Sequence, residues 1–357
     1  MRILIPVLGF GRQGGYRVLS ELATQWVIQG HTVDFIAPIG GPEPYFPTKG
    51  GLIWVDLIGR RSDCSVKRFF RSMYGVQNII SLYFGLMSID RKYDVILANH
   101  SLTTCPVALS INKGAKKIYY IQAYEPEYYS AFKGIKSRLW GLLSSLSYRL
   151  DLHQIVNSPS YIGYKNIKAQ TYVPPGIDFD LYFSNPINTK PEIKNKIILG
   201  CVGRSEPFKG THLVLEAFRI LHSRDDRFIL RIAFGDLPEC NNYSGIQIVV
   251  PQGDKELADY YRGLDIMIAP GTIQLGAPHY PVMEAMACGI PVITTGYLPA
   301  SSRNSWIIPI NDSRAIVCAI ESILQDPVLT KEKVRIAMQD ISEFGWEVVS
   351  KKMIAQL

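Results

Sequence analysis

Short, fully apolar runs alternate along this chain with longer stretches whose apolar residues recur every three or four positions. Arg2-Ile-Leu-Ile-Pro-Val-Leu8 is short, apolar and ended by Gly9, which reads as a buried parallel strand. Gly9 to Gly15 reads as a glycine-rich turn. Tyr16–Gln29 then places Val18, Leu19, Leu22, Ala23, Trp26 and Val27 on one helical face, and Gly30-His31 stops it. Thr32-Val-Asp-Phe-Ile-Ala37 is the next strand, completing a βαβ unit. Further strands are predicted at Leu52–Leu57, Asp94–Ala98, Lys117–Ile121 and Gln154–Asn157.

Thr171-Tyr-Val-Pro-Pro-Gly-Ile-Asp178 breaks the pattern, and Asp180 to Ile193 reads as loop. A second alternation follows. Strands are predicted at Ile197–Val202, Phe228–Ala233, Gln247–Val250, Asp265–Ala269 and Pro291–Thr295. Helices are predicted at Thr211–His222, Lys255–Gly263, Pro281–Cys288 and Ser313–Gln325, and Lys331 to Leu357 reads as two helices broken near Phe344-Gly345. The expected fold class is α/β, with two Rossmann-like, doubly wound parallel-sheet domains in tandem. The expected division is residues 1–175 plus a returning helix at 339–357, and residues 176–338. A ligand is expected in a cleft between the carboxyl ends of the two sheets, an outline that fits a dehydrogenase, a periplasmic-type binding protein or a two-domain glycosyltransferase.

Composition narrows the class. The 357 residues are 47% hydrophobic and 19% charged, which excludes a disordered, collagen-like or coiled-coil chain. Six cysteines show no C-x-x-C spacing and no Cys/His cluster, so neither a zinc site nor a disulfide framework is expected and a reducing compartment fits. The start MRILIPVLGF is too short and too weakly basic for a signal segment, and no stretch offers about 20 unbroken apolar residues. A soluble or peripheral, cytoplasmic protein is expected. The net charge of +7 is uneven: residues 1–175 carry 20 Lys/Arg against 10 Asp/Glu, and residues 176–357 carry 18 against 21. The first half should face something anionic, whether phosphate, nucleic acid or acidic lipid.

Several loops at strand ends carry candidate chemistry. Gly9-Phe-Gly11-Arg-Gln-Gly14-Gly15 departs from G-x-G-x-x-G, and no acidic residue closes the next strand, so a dinucleotide fingerprint is weak. Gly14 and Gly15 either aim N–H groups at an anion or form a turn that needs positive φ. Gly203-Arg204-Ser-Glu-Pro-Phe-Lys209-Gly210 lies at the equivalent place in the second half. Arg204 as a fork and Lys209 as a point charge suit a diphosphate there, against the alternative of two solvated cations. Glu284 is expected in the first turn of the helix at Pro281, either favoured by the helix dipole or accepting ribose hydroxyls. His100, after the Asp94–Ala98 strand, is a candidate catalytic group if it lines the cleft.

In order, Gly14-Gly15, Val173-Pro-Pro-Gly-Ile-Asp178, Gly203-Arg204…Lys209-Gly210, Leu257-Ala-Asp-Tyr-Tyr-Arg-Gly-Leu-Asp265 and Glu284-Ala-Met-Ala-Cys-Gly-Ile-Pro-Val292 resemble family 4 glycosyltransferases of GT-B fold. Phe344-Gly-Trp346 resembles the start of that family's terminal helix, which crosses back to the first domain. The resemblance implies retaining transfer from a nucleotide-diphosphate sugar, with no metal and no other cofactor. It assigns diphosphate contacts to Arg204 and Lys209 and the ribose contact to Glu284. The family's first glutamate is replaced by Gly276, and Gln122-Ala-Tyr-Glu-Pro-Glu127 stands where a histidine loop is usual. Both features, with Tyr280 four residues before Glu284, resemble a subgroup that includes bacterial rhamnosyltransferases. Gly276 leaves space beside the sugar ring, with Pro278, Tyr280 and Pro281 as an apolar wall for a deoxysugar, or with His279 standing in for the lost carboxylate.

Glu125 is expected to serve catalysis or, with Glu127 and Gln122, to touch acceptor hydroxyls; the alternative is that both glutamates are simply solvated. The expected acceptor is a glycan or lipid-linked saccharide in bacterial surface polysaccharide assembly; the alternative is a non-catalytic nucleotide-sugar-binding protein. Two basic, aromatic runs, Arg60–Arg71 and Tyr128–Arg149, fit an anionic membrane surface at the inner face of the cell membrane or, alternatively, core helices with solvated basic faces. No RRM, KH or OB signature accompanies them, so nucleic acid is not an expected partner.

Overall fold

A computed structural model of the chain describes residues 1–62, 75–89, 92–111, 114–131, 134–183, 195–235 and 243–357. Most of the basic run at 60–71 lies outside the described residues. Contacts group the chain into two units: Met1–Gly176 with Trp346–Leu357, and Ile177–Gly345. Residues 339–345 therefore group with the second unit, and the return to the first begins at Trp346.

The first unit is a six-stranded parallel sheet in the order β3-β2-β1-β4-β5-β6. The strands are β1 (Arg2–Pro6), β2 (Thr32–Pro38), β3 (Gly51–Val55), β4 (Val95–Ala98), β5 (Lys116–Ile121) and β6 (His153–Val156). Central β1 buries Ile3, Leu4 and Ile5 completely, as a strand covered on both faces must. Helix α1 (Gly14–Ile28) packs against α12 (Trp346–Ile354). Helices α2 (Val76–Ser88), α3 (Ser101–Leu109) and α5 (Ile135–Ser147) form a second layer, α2 against α3 and α3 against α5. A short α4 (Glu125–Ser130) precedes α5.

The second unit repeats the plan in the order β12-β11-β10-β7-β8-β9. Its strands are β7 (Ile197–Val202), β8 (Phe228–Ala233), β9 (Ile246–Val249), β10 (Ile266–Ala269), β11 (Val292–Thr294) and β12 (Trp306–Ile307). Its helices are α6 (Phe179–Tyr182), α7 (Thr211–His222), α8 (Asp254–Arg262), α9 (Tyr280–Ala287), α10 (Ser313–Gln325) and α11 (Pro327–Ile341). Leu199, Leu230, Ile266, Ile268 and Ile293 from the sheet meet Phe218, Ile316 and Ile320 from α7 and α10 in one core.

The expected α/β class with two doubly wound sheets is what the chain adopts. Two local expectations are corrected, and one strand was not foreseen. Gly14 and Gly15 belong to the first turn of α1 rather than to the turn before it, and Gly11, Gly14 and Gly15 are absent from the positive-φ glycines. The expected loop after Asp180 begins as α6, because the Asp178 carboxylate accepts the Leu181 N–H at 3.2 Å and caps a helical turn. Edge strand β12, two residues long, has too little pattern to stand out in the sequence.

Candidate functional site

In the second unit, two loops leave neighbouring strand ends, since β7 and β10 pair directly. The first runs from Gly203 to Gly210. The Thr211 hydroxyl accepts the Arg204 N–H at 3.1 Å and donates to the Arg204 carbonyl at 3.0 Å, closing the loop on itself. Gly210 has φ of 75°, and a Cβ there would lie 2.4 Å from the Pro270 carbonyl oxygen. Only glycine fits that approach. The Thr272 N–H donates to the Phe208 carbonyl at 2.9 Å, tying this loop to the one that follows β10.

The second loop runs from Pro270 to His279 and opens α9. The Tyr297 hydroxyl donates to the Ile273 carbonyl at 2.8 Å, and the Gly276 N–H donates to the Gly296 carbonyl at 2.9 Å. Gly276 has φ of 81°, the left-handed region where a side chain is strained by roughly 1–2 kcal/mol. The backbone is thus shaped for glycine at this position. His279 stands at the N-cap of α9 without capping it, and its ring stacks on Tyr297 with centroids 4.6 Å apart. Its Nδ1 is buried with no hydrogen-bond partner.

Electrostatics join the two loops. Burial, then the positive charges of Lys209 and Arg204, push the His279 imidazole down to about 3. Arg204 is exposed and Lys209 half-buried. Neither forms an ion pair with another described residue within 4.0 Å. Lys209 lies 5.7 Å from the Phe208 ring centroid. Burial and then Arg204 lower its pKa, with Glu206 opposing. Two cations beside a neutral imidazole make a place that favours an anion.

A pH dependence follows. In the unfolded chain His279 takes up its proton near 6.5, in the folded unit only near 3. Between those values the unfolded state binds more protons, so His279 makes folding less favourable as pH falls through that window and leaves it untouched above 6.5. Proton NMR of the ring should show no titration near the ordinary value, with an upward shift once a nucleoside diphosphate offsets the two cations. Titration of His279 near 6.5 in the free protein would contradict this account.

Glu284 is corrected. It is the fifth residue of α9, beyond the first turn, so the helix dipole at the N-terminus does not explain it. Its side chain is only 3% exposed and accepts the Tyr261 hydroxyl of α8 at 2.8 Å. Burial, then this carboxylate, hold the Tyr261 hydroxyl well above its ordinary pKa. Tyr261 lies inside the Leu257–Asp265 motif, yet nothing local in the sequence marks it as the partner of Glu284. Tyr280 opens α9 with its hydroxyl buried.

In the first unit, His100 and Glu125 come together. His100 is the N-cap of α3, its Nδ1 accepting the Leu102 N–H at 3.2 Å. That places the ring proton on Nε2, which faces Glu125 Oε2 at 3.6 Å. Glu125 also accepts the Ser101 N–H at 2.9 Å, the Ser101 hydroxyl, and the Ser144 hydroxyl at 3.4 Å. This carboxylate anchors the start of α3. Gln122 donates to the Gly15 carbonyl at 3.3 Å, which ties the loop after β5 to the first turn of α1. Glu127 lies among tyrosines; burial and then its charge push the Tyr128 hydroxyl up to about 12. Among the described residues, no group of three or more His, Cys, Asp or Glu is placed to hold a metal ion, and no helix is long and apolar enough to cross a membrane.

Residues 196–326 match the family model described as Glycosyl transferases group 1. A phosphatidyl-myo-inositol mannosyltransferase from Mycobacterium leprae is 25% identical over 196 residues, covering 51% of each chain. A D-inositol 3-phosphate glycosyltransferase from Corynebacterium glutamicum is 25% identical over 210 residues, covering 51% of this chain and 49% of its own. The chain spans about half the length of these curated relatives. Sucrose-phosphate synthase from Thermosynechococcus elongatus superposes with a TM-score of 0.74 at 17% identity, over 99% of this chain and 98% of that one. Anabaena Alr3699/HepE, solved in complex with UDP and glucose, superposes at 0.71 with 16% identity, over 99% and 98% of the two chains. The chain has the GT-B fold, and the segment that bears Arg204, Lys209, His279 and Glu284 carries the sequence signature of group 1 glycosyltransferases.

Proposed function

We propose that the chain is a family 4 glycosyltransferase that moves a sugar, with retention of configuration, from a nucleotide-diphosphate donor to a glycan or lipid-linked acceptor. The observation that carries this reading is the convergence of Arg204 and Lys209 on the loop before α9, inside the segment that matches the group 1 family. In the transfer the bond from the anomeric carbon to the diphosphate breaks and a bond to the acceptor oxygen forms on the same face. The acceptor proton leaves with the departing phosphate. Negative charge grows on the diphosphate as that bond breaks, and paired cations favour the transition state over the ground state. The reading assigns no step to a metal or other cofactor. It places the enzyme on the cytoplasmic side, in bacterial surface polysaccharide assembly.

The same site favours a deoxysugar, as in the rhamnosyltransferase-like subgroup. Gly276 offers no carboxylate to a hexose hydroxyl, and its backbone is shaped for a residue without a side chain. An unpaired sugar hydroxyl beside Pro278, Tyr280 and Pro281 costs roughly 1–3 kcal/mol, whereas a methyl group suits such a wall. Turnover of dTDP-rhamnose should exceed that of UDP-glucose and GDP-mannose by about tenfold or more. Faster turnover of a hexose donor would overturn the deoxysugar assignment, and binding of donors with no turnover of any would replace transfer with a nucleotide-sugar-binding role.

A further inference from the structure

At the free edge of the second sheet lies a cavity of about 450 Å³, none of whose lining residues belongs to the loops that bear Arg204, Lys209 and His279. Strand β12 lines it, and β11 stands between β12 and β10. Its walls are largely apolar: Trp306 and Ile308 from the strand edge, Ala315 and Cys318 from α10. The last two are three positions apart and so share one face of their helix. The Cys318 thiol is free and exposed, so the cavity opens to solvent on that side. Its volume falls in the range that small-molecule sites occupy, roughly 300–1,000 Å³.

One charge stands in this wall. Lys333 of α11 lines the cavity with its ammonium 5.0 Å from the Trp306 ring centroid. That ammonium donates to the Ser302 carbonyl at 2.5 Å and to the Ser305 carbonyl at 2.9 Å. It carries three donors, so one is left over. Carbonyls and an indole ring hold a cation in place without neutralising it. The carboxylates of the two adjoining helices are engaged elsewhere. Asp312 and Asp326 cap α10 and α11, and Asp340 accepts from Asn304. Glu321 pairs with Arg224, and Glu332 with Arg335. Among the described residues, no carboxylate lies within 4.0 Å of the Lys333 ammonium. A half-buried cation therefore faces an apolar cavity with one donor unspent and no counter-ion, and burial lowers its pKa.

We propose that this cavity binds a small apolar carboxylic acid, its carboxylate on the Lys333 ammonium and its body against Trp306, Ile308 and Ala315. One cation calls for one negative charge, which sets this ligand apart from a diphosphate. The assignment stands independently of the donor and of the reaction. The probe is 2-naphthoate, with 2-naphthamide as its neutral isostere. In calorimetric titration of the full chain the acid should bind at least about tenfold more tightly than the amide, the increment of one charge-assisted hydrogen bond. Saturating 2-naphthoate should slow iodoacetamide alkylation of Cys318 about tenfold, read by peptide mass spectrometry. Cys105, exposed in the first unit, should react unchanged. UDP should not displace the probe. Lys333→Met should bring the acid down to the affinity of the amide, but it also strips two carbonyls of their donor. Cys318→Phe is the second variant: the position is exposed, so the ring should obstruct the cavity, weakening the acid about tenfold or more at an unchanged melting temperature. Equal affinity for acid and amide, full binding in Cys318→Phe, equal protection of Cys318 and Cys105, or displacement by UDP would each overturn the proposal. So would a dimer in solution that Cys318→Phe disperses, since a second copy would then fill the cavity.

Discussion

Arg204→Ala and Lys209→Ala are each expected to weaken nucleoside-diphosphate binding about tenfold to a hundredfold. A charge-assisted hydrogen bond contributes roughly 1.5–3 kcal/mol, and about 1.4 kcal/mol is a factor of ten. The two should differ in what else they change. Arg204 is exposed, and its loop is held through its backbone by Thr211, so the alanine variant should keep the wild-type melting temperature. Lys209 is half-buried near Phe208, so its removal also strips packing from the loop. Removing either cation should let the His279 imidazole rise from about 3 toward its ordinary value. Calorimetric titration with UDP, dTDP and GDP, beside NMR of His279, reads both effects. Undiminished nucleotide affinity in both variants would remove these residues from the donor site.

Glu284 should behave differently from the two cations, because its carboxylate has a structural partner. In Glu284→Ala the buried Tyr261 hydroxyl loses its acceptor, which costs roughly 1–3 kcal/mol and lowers the melting temperature of the second unit. Glu284→Gln keeps an oxygen to accept from Tyr261 and should fold nearly as well. On the proposed reading the glutamine variant still loses transfer, because a neutral amide is a weaker acceptor for ribose hydroxyls than a carboxylate. Tyr261→Phe should retain transfer while destabilising the unit. Full activity in a folded Glu284→Gln variant would reduce Glu284 to a packing role.

Elements buried on both faces or built on one strong stripe were the legible ones. Ile3–Ile5 and the strands of the second sheet read as apolar runs, and α7 and α10 end where their stripes end, α10 starting at the Asp312 cap. The site was legible only as a list of residues. That His100 would meet Glu125 depends on β4 lying beside β5, an adjacency that no local pattern encodes. The turn on which Glu284 sits depended on a helix start one residue earlier than the proline suggested. Its partner comes from α8, a different helix. Leu139, Leu142, Leu143 and Leu146 of α5 are exposed, which was hidden for a simpler reason: a helical stripe in a sequence states which residues share a face, not which way that face points.

Helix α12 places a demand on biosynthesis. It packs on α1, where Ser350 accepts the indole N–H of Trp26 through its carbonyl at 3.2 Å and the Gln29 amide through its hydroxyl at 2.8 Å. Trp26 is fully buried in the finished fold. The second unit is one uninterrupted stretch of chain and can assemble as soon as it has left the ribosome. The first cannot: its α1 face stays open while the entire second unit is translated, until Trp346–Ile354 emerges to cover it. The unit that is translated before the second is therefore completed after it, and Trp26 is the side chain a chaperone would find waiting.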